Sequence, residues 1–226
     1  MIRLGLIGAN ISHSKSPGIY RDLLTTSHSY ELLDYKEERF LPRLAEFNDF
    51  FGLNITSPYK SSFLTQLESY PNRWKAINCL KNLDGKWVGT NTDATALEEL
   101  IPTYEQRFGI TDWVVLGDGA MAFVTGLILN DRGIKYLQFS RRVGDDFSRF
   151  DFLQQLDPKR RVCIINCCSR NLVIKGSMSK DWIFWDYNYL HEHHAKSIPR
   201  EVDTYLDGES LLITQAKHAV KFWGLA

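Results

Sequence analysis

The run Trp113-Val114-Val115-Leu116-Gly117-Asp118-Gly119-Ala120-Met121-Ala122 decides the fold class of this chain. Four apolar residues make a short buried strand, a glycine turn follows at once, and a helical pattern continues over 120–131. G-x-G-x-x-A between a strand and a helix is the fingerprint of a nucleotide-binding βαβ unit. Gly117 permits the tight turn, Gly119 lets a pyrophosphate approach the backbone, and Ala122 lets the helix pack closely. The next strand, Lys135 to Phe139, ends in Ser140-Arg141-Arg142 with no acidic residue at its tip. An acidic side chain there suits a ribose hydroxyl, whereas arginine suits a 2′-phosphate, so NADP is expected over NAD. Asp118 puts a negative charge inside the loop, which opposes a pyrophosphate unless its side chain points away.

Outward from this unit, strands and helices alternate. Strand patterns occupy 2–7, 29–35, 51–56, 76–81, 86–89, 113–117, 135–139, 162–166 and 182–186, and helical patterns 17–26, 38–48, 58–68, 93–107, 120–131, 149–156 and 209–224. Such alternation predicts an α/β protein with parallel sheets covered by helices. A division is expected near residues 93–110, where a connecting helix precedes the fresh βαβ unit at Trp113. The terminal segment from Glu209 to Trp223 is amphipathic, with Leu211, Leu212, Ala216, Ala219, Val220 and Trp223 on its apolar face. Its local pattern is compatible with packing on either domain.

Three strand exits in the first half carry polar residues. In Gly52-Leu53-Asn54-Ile55-Thr56-Ser57-Pro58-Tyr59-Lys60, Ser57 reads as a helix N-cap and Pro58 as the first helical residue. Lys60 then falls in the first turn, against the positive end of the helix dipole. Either it is a solvated surface lysine or a functional group that breaks a local rule. The loop Gly8-Ala9-Asn10-Ile11-Ser12-His13-Ser14-Lys15-Ser16-Pro17 repeats the serine–proline pattern. Ser14 and Ser16 either form a carboxylate cradle with helix amides, or Ser16 caps while Ser14 faces water. After Trp87-Val88-Gly89-Thr90, Asn91-Thr92-Asp93 opens a helix, where capping alone accounts for Asp93. Strand carboxyl ends line the ligand crevice of open α/β sheets, so Ser14, Thr56, Lys60, Asn91 and Asp93 are candidates to converge. A lysine beside an aspartate is a reasonable proton-transfer pair.

Composition bounds the alternatives. The chain has 226 residues, 44% hydrophobic and 24% charged, with 27 basic and 27 acidic side chains. That balance gives no broad basic field for nucleic acid or an anionic membrane, and no apolar run approaches a membrane span. Cys79, Cys163, Cys167 and Cys168 form no CxxC pair, which reads as reduced cytoplasmic usage. His191-Glu192-His193-His194 lacks the spacing of a helical zinc pair and a third ligand, so it is read as an exposed polar loop and no metal site is expected.

Taken in order, these pieces resemble the shikimate dehydrogenase family, including quinate/shikimate dehydrogenases. Ser12-His13-Ser14-Lys15-Ser16-Pro17 is similar to its S-x-S-P loop, Asn54 to Lys60 to its N-V-T-x-P-x-K motif, and Asn91-Thr92-Asp93 to its N-T-D. Ser140-Arg141, Ile165-Asn166-Cys167-Cys168-Ser169, Asp186-Tyr187-Asn188-Tyr189 and Gln215-Ala216 follow. The resemblance implies reversible NADP-dependent reduction of 3-dehydroshikimate to shikimate, in aromatic amino-acid biosynthesis. It implies Lys60 and Asp93 as catalytic pair and Ser14, Ser16, Thr56, Asn78, Asn91, Tyr189 and Gln215 as substrate-binding residues. Gly117, Gly119, Ala120, Ser140 and Arg141 would serve the cofactor. The implied architecture is a substrate domain of residues 1–95 with 207–226, to which the terminal helix returns, and a Rossmann-type NADP-binding domain of 96–206. The expected protein is a cytoplasmic monomer or homodimer with a small-molecule substrate and neither nucleic-acid nor membrane partner. A broader quinate/shikimate dehydrogenase and a catalytically weak shikimate-binding relative are the alternatives. Departures from the family pattern include Lys75-Ala76-Ile77-Asn78-Cys79, which lacks a glycine and a threonine, Ala94 and Ala96 after Asp93, Ala120 in the nucleotide loop, and Arg142 in place of a small hydroxyl residue.

Overall fold

The computed structural model describes residues 1–143, 156–157, 159–174, 178–189 and 191–226. The helix expected over 149–156 lies outside them except for its last residue. The chain forms two compact units, Met1–Ala96 with Ile213–Ala226, and Leu97–Leu212. Among the described residues, no helix is long and apolar enough to cross a membrane.

The first unit is built on β1 (Ile2–Gly8), β2 (His28–Asp34), β3 (Gly52–Ile55), β4 (Cys79–Leu83) and β5 (Lys86–Thr90), in the spatial order β2-β1-β3-β4-β5. β1 pairs parallel with β2 and β3, whereas β4 runs antiparallel to β3 and β5. The mixed sheet follows from linker length. Only Asp84 and Gly85 separate β4 from β5, and a parallel crossover needs a dozen or more residues. Both linker residues have positive φ, +52° and +86°, the hairpin geometry that Asp-Gly favours.

This topology gathers the polar strand exits. α1 (Ser16–Leu23) joins β1 to β2, while β3 lies on the other side of β1. The loops leaving β1 and β3 therefore flank a topological switch point. Because β4 is reversed, the residues before β4 and those after β5 reach the same edge. A Cβ on Gly8 would come within 2.4 Å of Thr56 Cγ2, so glycine is what lets the two loops approach.

Not every expected helix forms. The pattern over 38–48 yields two short 3-10 turns, Glu38–Phe40 and Leu44–Phe47. Pro42 explains the break, since the residue before a proline is driven out of the helical region and Leu41 has ψ 124°. The terminal helix α5 (Glu209–Trp223) has its destination fixed by packing. Ala216, Ala219, Val220 and Trp223 share a core with Leu4, Tyr20, Leu24 and Cys79, and Trp223 Nε1 donates to the Leu80 carbonyl at 2.8 Å. A Cβ on Gly52 would lie 2.4 Å from that indole nitrogen.

The second unit has a fully parallel sheet of β6 (Asp112–Leu116), β7 (Tyr136–Phe139), β8 (Val162–Asn166), β9 (Ile183–Asp186) and β10 (Thr204–Leu206), ordered β10-β9-β8-β6-β7. Every residue of β8 and β9 is buried, as expected of central parallel strands covered on both faces. α2 (Thr92–Phe108) precedes β6, and α3 (Ala120–Asp131) links β6 to β7. β8 then lies on the opposite side of β6, so the switch point of this sheet falls between the carboxyl ends of β6 and β8.

Among the described residues, one strand and one α-helix have no counterpart in the sequence patterns: β10 and α4 (Glu192–Ser197). The expected exposed loop over His191–His194 is instead the start of α4, with His191 and His194 buried. His194 Nδ1 lies 2.7 Å from Asp186 Oδ2, and its Nε2 accepts the Ile174 N–H at 2.9 Å. Asp186 Oδ1 also accepts from Asn166 Nδ2 and from the Asn188 N–H, both at 3.0 Å. Those bonds satisfy the polar atoms of His194 and Asp186 that burial would otherwise strand.

Candidate active site

The segment after β3 is a chain of tight turns, not the helix expected over 58–68. The Ser57–Pro58 peptide is cis, and Thr56 O accepts the Tyr59 N–H across it at 3.0 Å, the arrangement of a type VI turn. Ser62 N–H then bonds to Tyr59 O at 3.0 Å and Gln66 N–H to Phe63 O at 2.9 Å. Tyr59 and Phe63 are buried, so the segment keeps an apolar face while its hydrogen bonding is i to i+3. Ser57 is no N-cap, and Lys60 does not face a helix dipole of its own segment. Its carbonyl accepts the Ile77 N–H at 2.7 Å, which ties the turn to the approach to β4.

Lys60 Nζ lies 2.6 Å from Asp93 Oδ2, with side chains only 13% and 12% exposed. Asp93 sits in the first turn of α2, where the helix dipole favours a carboxylate. Asp93 is nevertheless not the cap. Asn91 Oδ1 accepts the Ala94 N–H at 3.0 Å, and its Nδ2 donates to the Ala76 carbonyl at 3.1 Å. The Asp93 carboxylate is thereby left to meet the ammonium.

Beside this pair lies a buried amide network. Asn78 Oδ1 accepts the Thr92 N–H at 2.6 Å and lies 3.1 Å from Thr92 Oγ1, while Gln215 Oε1 lies 3.1 Å from the same hydroxyl and 3.4 Å from Asn78 Nδ2. Asn54 Nδ2 holds the Asn78 carbonyl at 3.2 Å, and Tyr30 holds Asn54 Oδ1 at 2.9 Å. Thr92 stands at the centre of this network, and no local pattern marks it, although it lies inside the Asn91-Thr92-Asp93 motif. Burial, with the Asp93 charge adding to it, pushes the neighbouring Cys79 thiol well up, so it stays neutral.

Ser14 and Ser16 meet on the β1 loop with hydroxyls 3.1 Å apart, and Ser14 Oγ accepts the Ser16 N–H at 3.2 Å. The cap position of α1 is Lys15, so Ser16 is inside the helix and not the N-cap expected for it. Thr56 is half-buried between the β3 end and the cis turn.

In the second unit, Gly117 has φ +109°, a backbone open to glycine and strained for other residues, and its N–H donates to the Phe139 carbonyl at 2.8 Å. Gly119 is the N-cap of α3 with no side-chain cap, and a Cβ built there would meet nothing within 4 Å. Ala120 begins the helix, Ala122 is buried in its first turn, and Arg141 is exposed at the β7 tip. Open space over uncapped helix amides at the switch point fits a pyrophosphate, and the donors Ser140 and Arg141 fit an adenosine phosphate. Tyr189 lies in this unit, its carbonyl accepting from Arg170 Nη2 at 2.9 Å and its ring 5.0 Å from the same guanidinium.

Residues 6–80 match the family described as the shikimate dehydrogenase substrate binding domain. The sequence similarity to shikimate dehydrogenases extends over almost the whole chain in the curated relatives. A shikimate dehydrogenase (NADP(+)) of Oceanobacillus iheyensis is 27% identical over 98% of this chain and 92% of its own length. That of Saccharolobus islandicus is 26% identical over 97% and 88%. Among solved structures, the shikimate dehydrogenase of Aquifex aeolicus superposes with a TM-score of 0.79 at 20% identity, covering 99% of this chain and 92% of that one. Shikimate 5-dehydrogenase of Thermus thermophilus, in complex with NADP(H) and shikimate, gives 0.73 at 20% identity, covering 99% and 93%. Those likenesses establish a shared fold.

Proposed function

We propose that this chain is an NADP-dependent shikimate dehydrogenase, interconverting 3-dehydroshikimate and shikimate in aromatic amino-acid biosynthesis in the cytoplasm. The observation that carries the reading is the Lys60–Asp93 pair at 2.6 Å, at the carboxyl edge of the first sheet and beside the buried Asn78–Thr92–Gln215 network. The names of the relatives and the match over residues 6–80 support the same activity.

The chemistry follows from the side chains. Reduction of a ring ketone needs a proton on the oxygen as hydride reaches the carbon, and the nicotinamide cofactor, when bound, supplies or takes up that hydride. Lys60 is the proton donor in reduction and the acceptor in oxidation. An ammonium is a donor with three N–H bonds and no acceptor, the form that can give a proton to a ketone oxygen. Asp93 holds the ammonium in place and balances its charge in a site with little water. Ser14, Ser16, Thr56, Asn78, Asn91 and Gln215 offer the hydroxyl and amide groups that a carboxylate and ring hydroxyls need. The glycine loop and β7 tip of the second unit would hold the cofactor phosphates, and Tyr189 would contact substrate.

The test is a split between rate and affinity. General acid–base catalysis is worth about 10²–10⁴-fold, so Lys60→Ala should lower kcat with shikimate by that factor while shikimate still binds within a few-fold of wild type. An unchanged kcat removes Lys60 from the proton transfer.

A further inference from the structure

Asp118 stands inside the glycine loop, yet its carboxylate turns to the tip of β7. Oδ2 accepts the Ser140 hydroxyl at 2.5 Å and lies 3.3 Å from Arg142 Nε. Ser140 Oγ in turn accepts the Arg142 backbone N–H at 3.2 Å. One hydroxyl and one guanidinium are thus gathered around a single carboxylate oxygen. A phosphate monoester seeks the same donors, because ionised oxygens take their strongest bonds from guanidinium, hydroxyl and N–H groups. The strand tip itself carries no acidic residue. The negative charge arrives there from the loop after β6 instead, with the Asp118 side chain 33% exposed and so within reach of a ligand.

We propose that Asp118 sets the discrimination between 2′-phosphorylated and unphosphorylated adenine nucleotides by engaging Ser140 and Arg142 with its own carboxylate. The inference rests on the cofactor reading of the second unit given above. A 2′-phosphate must displace the carboxylate from those donors or lie beside a like charge. An unphosphorylated ribose meets, in the same carboxylate, an acceptor for its 2′-hydroxyl. Arg141, exposed at the same tip, pulls the other way. The wild-type chain therefore separates the two nucleotide classes only modestly, and removing the Asp118 charge widens the gap in favour of the phosphorylated one.

The measurement is titration calorimetry of the full chain with adenosine 2′,5′-bisphosphate and with 5′-AMP, for wild type, Asp118→Asn and Asp118→Ala. Asn keeps the size of the side chain and Ala removes it. Both variants should bind the bisphosphate about tenfold more tightly, a change of about 1.4 kcal/mol. Their 5′-AMP affinity should stay level or fall. The gain should shrink at about 1 M salt, where the screening length drops to about 3 Å. Weaker bisphosphate binding in both variants would mean that Asp118 positions Ser140 and Arg142 for the phosphate, and would overturn the proposal. Equal changes for both nucleotides, or loss of both by both variants, would overturn it too. Failure of wild type to bind either nucleotide at millimolar concentration would remove the cofactor reading together with it.

Discussion

Lys60 and Asp93 come from segments 33 residues apart and meet at 2.6 Å because β3 and β5 end at the same edge of one sheet. The four cysteines show the opposite use of a reactive side chain. Burial raises the Cys79, Cys163 and Cys167 thiols, and pushes Cys168 up to about 11 even though Arg141 pulls it down. The thiolate is the nucleophile, and at pH 8 a thiol of that kind is ionised in only about one molecule in a thousand. The folded protein should therefore react slowly with a disulfide reagent at pH 8, faster as the pH rises toward 11, and with all four thiols at once in strong guanidinium. A thiol that reacts within seconds in the folded protein at pH 8 would contradict these shifts.

At the scale of elements, the end of β5 shows how local chemistry aims the site. Asn91 caps α2 through Ala94 and satisfies the buried Ala76 carbonyl with its amide, so Asp93 is spared from capping. Asn91→Ala should cost about 1–2 kcal/mol in urea unfolding, the usual loss for a helix cap. A cost near zero would mean the cap is dispensable. The same region shows what the sequence made legible. β1 to β9 and the glycine loop are legible because period and turn residues are local, and α3 forms over the expected 120–131, whereas the three-residue β10 is too short to show a period. The segment after Thr56 was not, since a serine–proline pair serves a helix start and a cis turn equally well. His191 and His194 looked exposed because the Asp186 carboxylate, which receives His194 in the interior, stands outside the polar run and leaves no pattern in it. Lys60 and Asp93 stand out in the sequence by residue type and motif order, whereas Thr92 carries no local signal of its own. Asp118 is visible in the sequence as a charge, but its pairing with Arg142, 24 residues on, exists only in three dimensions.

At the scale of the molecule, the first unit is closed by both ends of the chain. Trp223, almost fully buried, fills the space left by Gly52 and bonds to Leu80 O, so the last turn of α5 completes the core that carries Gln215. Trp223→Ala should destabilise that unit by about 3–5 kcal/mol in denaturant unfolding. A loss below about 1 kcal/mol, far under the usual cost of such a truncation, would show that the terminal helix is not integral to it. The activity assigned to the whole chain is tested most directly by following nicotinamide absorbance with purified protein and shikimate or quinate, each with NADP or NAD. Sustained turnover of shikimate with NADP is the expected result. Absence of turnover in all four pairings, while shikimate binds measurably, would contradict it and leave a binding protein on a dehydrogenase scaffold.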